Sequence, residues 1–397
     1  MAERIEQTNW GGGIDNLSRR ERVKEGCVRD ALNVTPTNGG TFTLRPGAEL
    51  VVSGSRIRGV LSVGADVLYA EGDKLMRLDT RTGTTEQLGS IPPAGAFAGA
   101  VLNDELFIST EADCLRYKAG VLRGWGLGEC RFDVQRGTGQ LVKGMYQVVC
   151  VQINQHGEES PTVAPASIAL LDGCSLEVTC DPLPGHSVRV YASTADGETL
   201  YLQGVVSGAL SLQTLRDDTA RFQGGGELSP IPCRMLAQVG GSLACASGGL
   251  LWLTAPMRPH VRSSLERFFQ FAAPVGVLLK AGDGLFVSAD KTYFLSGIEG
   301  PAPSQREVLP YPAITGTGVQ LRDGRAAWMT PYGLAIGQAD GSVSLVSSDR
   351  FAPSCGTAGT SAAIDLDGNQ TVVTGMTGPR EDAGMVARDY YEVEIVQ

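Results

Sequence analysis

The sequence predicts an all-β fold, a β-propeller of about six blades interrupted by a small inserted β-sandwich. Three observations predict it. A module of apolar strand, polar turn and second apolar strand, often with a third, recurs about six times. Its copies fall in two blocks, separated by about 80 residues of different patterning. Glycine supplies 52 of 397 residues, with 20 prolines and 19% charged residues, which suits many short strands joined by tight turns and does not suit long helices. No unit of this kind buries its own apolar face, so neighbours must stack around an axis.

In chain order, residues 1–54 read as an N-terminal segment and hairpin. The run Gly11-Gly12-Gly13 calls for a permissive backbone. The string "VTPTNGGTFTLRPG" reads as a hairpin turning at Asn38-Gly39-Gly40 and ended by Arg45-Pro46-Gly47. The first part of the propeller, 55–135, holds the copies "IRGVLSVGADVLYAEGDKLMRLD" from Ile57 and "AFAGAVLNDELFISTEADCLRYKAG" from Ala96. Residues 136–220 carry six or seven short alternating strands, among them "YQVVCVQI", "LEVTC" and "VRVYAST", which argues for a separate sandwich.

The second part, 221–397, holds copies from Arg234, Val275, Thr315 and Gly359. Between its blades "MRPHVRSSLERFFQF" is the one helix-like stretch of any length. The tail "MVARDYYEVEIVQ" reads as a final strand, expected to complete a blade begun near the N-terminus. Turns are expected at Asp283-Gly284, Asp323-Gly324 and Asp340-Gly341, and across "DLDGN" from Asp365, with Gly supplying the positive φ. The last of these resembles the start of a calcium loop but lacks the bidentate Glu at the required spacing.

The net charge of −10, with no Lys/Arg run along a strand, argues against sequence-reading nucleic-acid binding. It is compatible with a wall that nucleic acid slides past without adhering. No stretch approaches the ~20 apolar residues of a membrane span, and "MAERIEQTNWGGG" lacks the apolar run of a signal peptide, so cytoplasmic synthesis is expected. Nine cysteines at 27, 114, 130, 150, 174, 180, 233, 245 and 355 show no CxxC spacing and read as reduced structural thiols.

His156, His186 and His260 all fall in loop-like settings, and there is no GxSxG or HExxH string. No catalytic, cofactor-binding or metal-ligating residue is therefore expected. Trp252 and Trp328 lie in apolar strands and read as core, whereas Trp10 and Trp125 sit in Gly-rich segments and are candidates for exposure. The one local excess of positive charge is Arg19, Arg20, Arg22, Lys24 and Arg29, against Glu21 and Glu25. It reads either as a solvated helical turn or as a contact surface for an acidic neighbour in a ring or for passing DNA.

Three strings together resemble one family. "NVTPTNGGTFTLRPG" resembles the opening motif of virion proteins in tailed bacteriophages. "YQVVCVQINQHGEESPTVAP" followed by "VRVYASTADGETLYLQG" resembles a fibronectin type III-like module inserted in those proteins. "LWLTAPMRPH", "GLFVSADKTYFLSG" and "AAWMTPYGLAIGQADGSV" look like their second propeller half. The family is the tail nozzle or tail-hub proteins of short-tailed phages, which includes packaged-DNA stabilisation factors, and the resemblance extends over most of the chain.

The resemblance implies a virion structural protein, assembled in the host bacterial cytoplasm and resident in the tail. It would form a homo-oligomeric ring, expected to be a hexamer, that lines the DNA exit channel. Its partners would be portal and adaptor proteins, tail fibre or needle proteins, and genomic DNA passing without sequence-specific binding. No extended tip insertion of the kind that closes the channel is present, which keeps open a connector or distal tail role in a longer-tailed phage. Two rivals stand beside this reading. A receptor- or glycan-binding propeller predicts exposed aromatics grouped on one face. A propeller lyase or glycosidase predicts His, Tyr and carboxylates at the axial mouth.

Overall fold

In the computed structural model, residues 9–377 are described, apart from 38, 46, 48, 163, 264, 265, 347, 352, 354, 355, 367 and 368, together with the strand Tyr391–Val396. Blade 1 is the antiparallel meander Ile57–Val63, Asp66–Glu71, Lys74–Asp79 and Thr84–Ser90. Blade 2 is Phe97–Leu102, Glu105–Thr110, Cys114–Lys118 and Val121–Gly124. Blade 3 is Met235–Val239, Ser242–Ser247 and Leu250–Ala255, with its outer position split between Arg258–Ser263 and Phe268–Gln270. Blade 4 is Val277–Ala281, Gly284–Ser288, Thr292–Ser296 and Ser304–Leu309. Blade 5 is Val319–Gln320, Ala326–Thr330, Gly333–Gly337 and Val343–Val346. Blade 6 has three strands, Ala358–Leu366, Asn369–Thr377 and Tyr391–Val396.

The chain is thus an all-β propeller of six blades with a β-sandwich inserted between blades 2 and 3, as its sequence predicts. The second strands of the blades are buried on both faces, so they read as near-continuous apolar runs: "GLFVS" of Gly284–Ser288 and "AAWMT" of Ala326–Thr330. Blades stack core to core. Leu68, Leu106 and Tyr117 join blades 1 and 2, and Phe107, Leu236 and Trp252 join blades 2 and 3. Leu251, Leu278 and Leu285 join blades 3 and 4; Phe286 and Trp328, with ring centroids 5.0 Å apart, join blades 4 and 5. Ile314, Leu334 and Val372 join blades 5 and 6.

Among the described residues no such cluster joins blade 6 back to blade 1. Val60 on the first strand of blade 1 and Ile364 on the first strand of blade 6 are exposed.

The insert leaves from the outermost strand of blade 2, so it sits on the rim rather than over the axis. Its seven strands form two facing sheets, Arg131–Leu141, Cys174–Asp181 and Ala209–Leu212 against Ala166–Leu170, Gly144–Ile153, Ser187–Ser193 and Leu200–Val206. Tyr146, Leu176, Val188 and Val190 fill the space between them. The first of these strands begins at Arg131, ahead of the expected boundary at 136. Its glycines disguise it as a loop in the sequence. At Gly137 an added Cβ would lie 2.4 Å from the Ser175 hydroxyl, so a side chain is excluded by the neighbouring strand and not by a turn.

Three further expectations are corrected. The helix expected over "MRPHVRSSLERFFQF" is absent: Arg258–Ser263 and Phe268–Gln270 are strands. Met257 sits at φ +57° in a tight turn, and Arg258–Ser263 is then paired on both sides, with Leu250–Ala255 and with Glu227–Leu228. Sheet pairing overrides the helical propensity of Leu, Glu and Arg here. The tail strand Tyr391–Val396 pairs with Asn369–Thr377, completing a blade begun at Ala358 and not one begun near the N-terminus. At the turn after Ala281 it is Gly282 that carries positive φ, +59°, while Gly284 opens the next strand; Gly324 and Gly341 turn as expected, at +85° and +78°. The centre of the "DLDGN" turn and Cys355 lie outside the described residues.

Candidate functional site

Charged side chains mark the two places where the sandwich and the N-terminal arm attach to the propeller. The first is the junction between sandwich and propeller. The sandwich hairpin "NQHGEES" turns through Gly157 at φ +78°, and Asn154 Oδ1 accepts the backbone N–H groups of His156 at 2.9 Å and Glu158 at 3.1 Å. This Asx-type turn aims the Glu158 carboxylate at the propeller.

There it takes two hydrogen bonds from Arg116 of blade 2, one of 2.6 Å from Nη1, and one of 2.7 Å from Asn154 Nδ2. Arg116 is 3% exposed, donates Nε to the Gly124 carbonyl at 3.1 Å, and lies 3.7 Å from Glu105. His260, on the outer strand of blade 3, brings Nδ1 to 3.9 Å from Glu158. Burial pushes the Glu158 carboxyl up, but the donors on Arg116 and Asn154 and the positive charge of Arg116 outweigh it and hold it at about 2. Burial pushes His260 below its ordinary value, with Arg258 and Arg116 adding to the effect and Glu158 opposing it.

Uncharged groups also hold the two domains together at this junction. Trp125, fully buried between blade 2 and blade 3, donates Nε1 to the Pro259 carbonyl at 2.6 Å. Its Gly-rich setting suggested exposure; the glycine at 126 instead lets Pro230 close over the loop, where an added Cβ would lie 2.8 Å from Pro230 Cδ. Gln152 donates to the Gly128 carbonyl and accepts the Leu183 N–H at 3.1 Å.

The second region is the N-terminal arm. The parallel pair Gly13–Ile14 and Cys27–Val28 and the short 3₁₀ turn Arg20–Arg22 form its base. Asp15, fully buried, accepts the backbone N–H of Ser18 at 2.9 Å, and that bond is the main cause holding its carboxyl below the usual range. The base is tied to the loop after blade 5: Asn16 donates its N–H to the Arg350 carbonyl at 2.9 Å, and Lys24 pairs with Asp349 at 3.3 Å. Beyond it the hairpin Val34–Pro36 with Phe42–Leu44 joins no other sheet among the described residues. It folds back on Trp10, whose ring stacks on Phe42 at 5.9 Å and whose N–H bonds the Gly40 carbonyl.

The structure therefore places the basic group as follows. Arg19, Arg22, Lys24 and Arg29 are exposed; Arg20 lies in the 3₁₀ turn; Arg29 also donates to the Ser18 carbonyl at 2.5 Å. Leu17, Leu32, Leu44, Leu50 and Val51 of the same arm are exposed as well, the last three at 75%, 77% and 77%. Sequence reasoning found the basic residues but missed Asp15, whose Asp-x-x-Ser spacing is the only local signal.

The histidines do not come together. His186 lines an open groove of about 530 Å³ at the sandwich tip, with Ile153, Gln155 and Leu183, and His156 lies beside it. His260 is buried on a strand and does not sit in a loop. Exposed Phe268 and Tyr332 lie on different blades. No group of His, Cys, Asp and Glu among the described residues is arranged to hold a metal ion. The cysteines gather more than their spacing suggests: Cys130, Cys150 and Cys180 share the sandwich core, the last two with Sγ atoms 3.5 Å apart, while Cys114, Cys233 and Cys245 share the core between blades 2 and 3. All eight described cysteines are free, and burial pushes Cys114 to about 12.

No family model matches the chain, and no curated protein matches it. Solved structures align over most of its length at low similarity. Streptogramin B lyase aligns at 10% identity with a TM-score of 0.36, covering 87% of this chain and 96% of its own. The computationally designed Ika8 protein aligns at 11% identity and 0.36, covering 85% and 87%. Apo AztD from Citrobacter koseri aligns at 9% identity and 0.33, covering 79% and 77%. At these TM-scores the alignments carry no argument about activity, and the fold rests on the sheets themselves.

Proposed function

We propose that this chain is a structural subunit of a tailed-phage virion, assembling into a homo-oligomeric nozzle or hub ring in the tail that retains packaged DNA and lets it pass during ejection. The observation that carries this reading is the N-terminal arm. A two-stranded hairpin on its own is marginally stable in water, and this one stands outside every blade among the described residues and exposes Leu44, while Leu32, Leu50, Val51, Arg19, Arg22 and Arg29 of the same N-terminal arm are exposed as well. Such a segment belongs against another surface. Among the described residues no apolar cluster joins blades 6 and 1, and Val60 and Ile364 on their first strands are exposed. The sequence resemblance to nozzle and hub proteins supplies the setting.

In this reading the chain accelerates no reaction. The sandwich, braced on the rim by the Arg116–Glu158 pair, presents a rigid outward module for a neighbouring subunit or a fibre. The acidic balance of the whole chain, −10, keeps the phosphate backbone from adhering to the channel wall. Electron microscopy with class averaging, on the purified chain with and without portal and adaptor rings, tests this. Rings with an axial hole are the expected result. Particles that stay monomeric beside those rings, together with binding to host polysaccharide, would move the chain to the glycan-binding class.

A further inference from the structure

Blades 1, 2, 4 and 5 each have four strands, whereas among the described residues blade 6 has three, with Tyr391–Val396 outermost and one of its edges covered by no described strand. The arm hairpin is the complementary remainder, two strands that belong to no blade. We infer that the hairpin of a second copy of this chain adds to blade 6 along Tyr391–Val396, supplying its fourth strand through Phe42–Leu44. This rests on the ring reading and names its interface.

Backbone pairing of this kind takes affinity from the ladder and specificity from alternate side chains. Phe42–Leu44 is the better-suited strand of the two, because Pro36 in Val34–Pro36 lacks a backbone N–H. Charge agrees. Residues 17–29 hold five basic and two acidic residues, while 389–397 hold Asp389, Glu392 and Glu394 and no base. The donor is a neighbour, since within one chain the hairpin pairs with no strand of blade 6 among the described residues. An arm leaving one copy for blade 6 of the next is a head-to-tail contact, and repeated with a closing rotation it generates a ring.

The test mixes two full-length forms during assembly, a tagged copy carrying Leu44→p-benzoylphenylalanine and an untagged copy labelled with heavy isotope. After irradiation, cross-linked peptides are read by mass spectrometry. Light arm peptides joined to heavy 389–397 peptides are the expected result. Links confined to light tail peptides, or to any other part of the heavy chain, overturn the proposal. In parallel, Arg19→Glu with Arg22→Glu, both on exposed positions, should weaken self-association about tenfold or more at low salt without moving Tm; unchanged self-association counts against it. The two readings fail separately. Rings without arm-to-tail links leave the ring standing and sink strand addition. Links in dimers or open chains do the reverse.

Discussion

The sandwich meets the propeller through Arg116, 3% exposed and held by a carboxylate that its Arg116 and Asn154 donors keep ionised against the effect of burial, whereas the arm meets it through Lys24 and Asp349, a pair with most of both side chains in water. The difference is one of consequence. A buried charge is costly to strand, so the junction is fixed wherever the protein is folded. An exposed pair contributes little, so the arm is positioned without being committed. One insertion is part of the body, and the other is available to a neighbour.

The sharpest way to break the comparison is Glu158→Ala. It leaves the buried Arg116 guanidinium without the carboxylate that takes two of its hydrogen bonds, with only Glu105 at 3.7 Å and the Gly124 carbonyl beside it, and the expected loss is about 3 kcal/mol, read as a fall in the denaturant midpoint. The pH dependence carries the same interaction. With a folded pKa of about 2, depressed from the ordinary 4.5, Glu158 stabilises the fold above about 4.5. That contribution, of the order of 3 kcal/mol, is lost as pH falls from 4.5 towards 2. In Glu158→Gln the acid loss in this window should shrink.

Next in size is Trp125→Phe. The indole fills the space between blades 2 and 3 and holds the Pro259 carbonyl; replacing it leaves a cavity and an unpaired acceptor. A loss of about 1–3 kcal/mol is expected in the same unfolding measurement. Trp10→Phe, on a half-buried ring stacked on Phe42, should barely move the midpoint.

A smaller effect separates His260 from Glu158. The fold disfavours the imidazolium, so the unfolded chain takes the proton first, and stability falls as pH drops from about 6.5 through the lower folded pKa. This loss sets in at a higher pH than that of Glu158. In His260→Asn the loss that sets in below pH 6.5 should vanish while the one that sets in below 4.5 persists; if both persist, His260 is not the group that titrates.

Much of this was legible because blades and sandwich strands repeat at period two between Gly turns, a pattern that survives any uncertainty about boundaries. The junction was not legible. Glu158 and Arg116 are 42 positions apart and belong to different domains, so nothing local marks either as buried. Met257–Phe271 misled because its Arg, Glu and Leu residues favour a helix, while the pairing that decides its form comes from Glu227–Leu228 and Leu250–Ala255. Trp125 misled for a related reason, since a Gly-rich loop signals an open backbone and says nothing about what lies above it. The arm was legible in charge but not in attachment, because Asp349 and Arg350 lie at the other end of the chain.

The smallest expected effect tests the arm side directly. Lys24→Ala removes the ion pair to Asp349, and since both partners are largely solvated the unfolding midpoint should not change measurably. Local opening is a separate quantity. The backbone bonds from Asn16 and Leu17 to the Arg350 carbonyl remain, but the arm base has lost its side-chain tie to the blade 5 loop, so limited proteolysis should cut 17–50 faster in the variant monomer. In assembled particles the same segment should be protected in wild type and variant alike, because the neighbour then holds it. Equal cleavage rates in monomer and assembly would show that the arm makes no contact between copies, and the contrast between a fixed sandwich and a donated arm would fall with it.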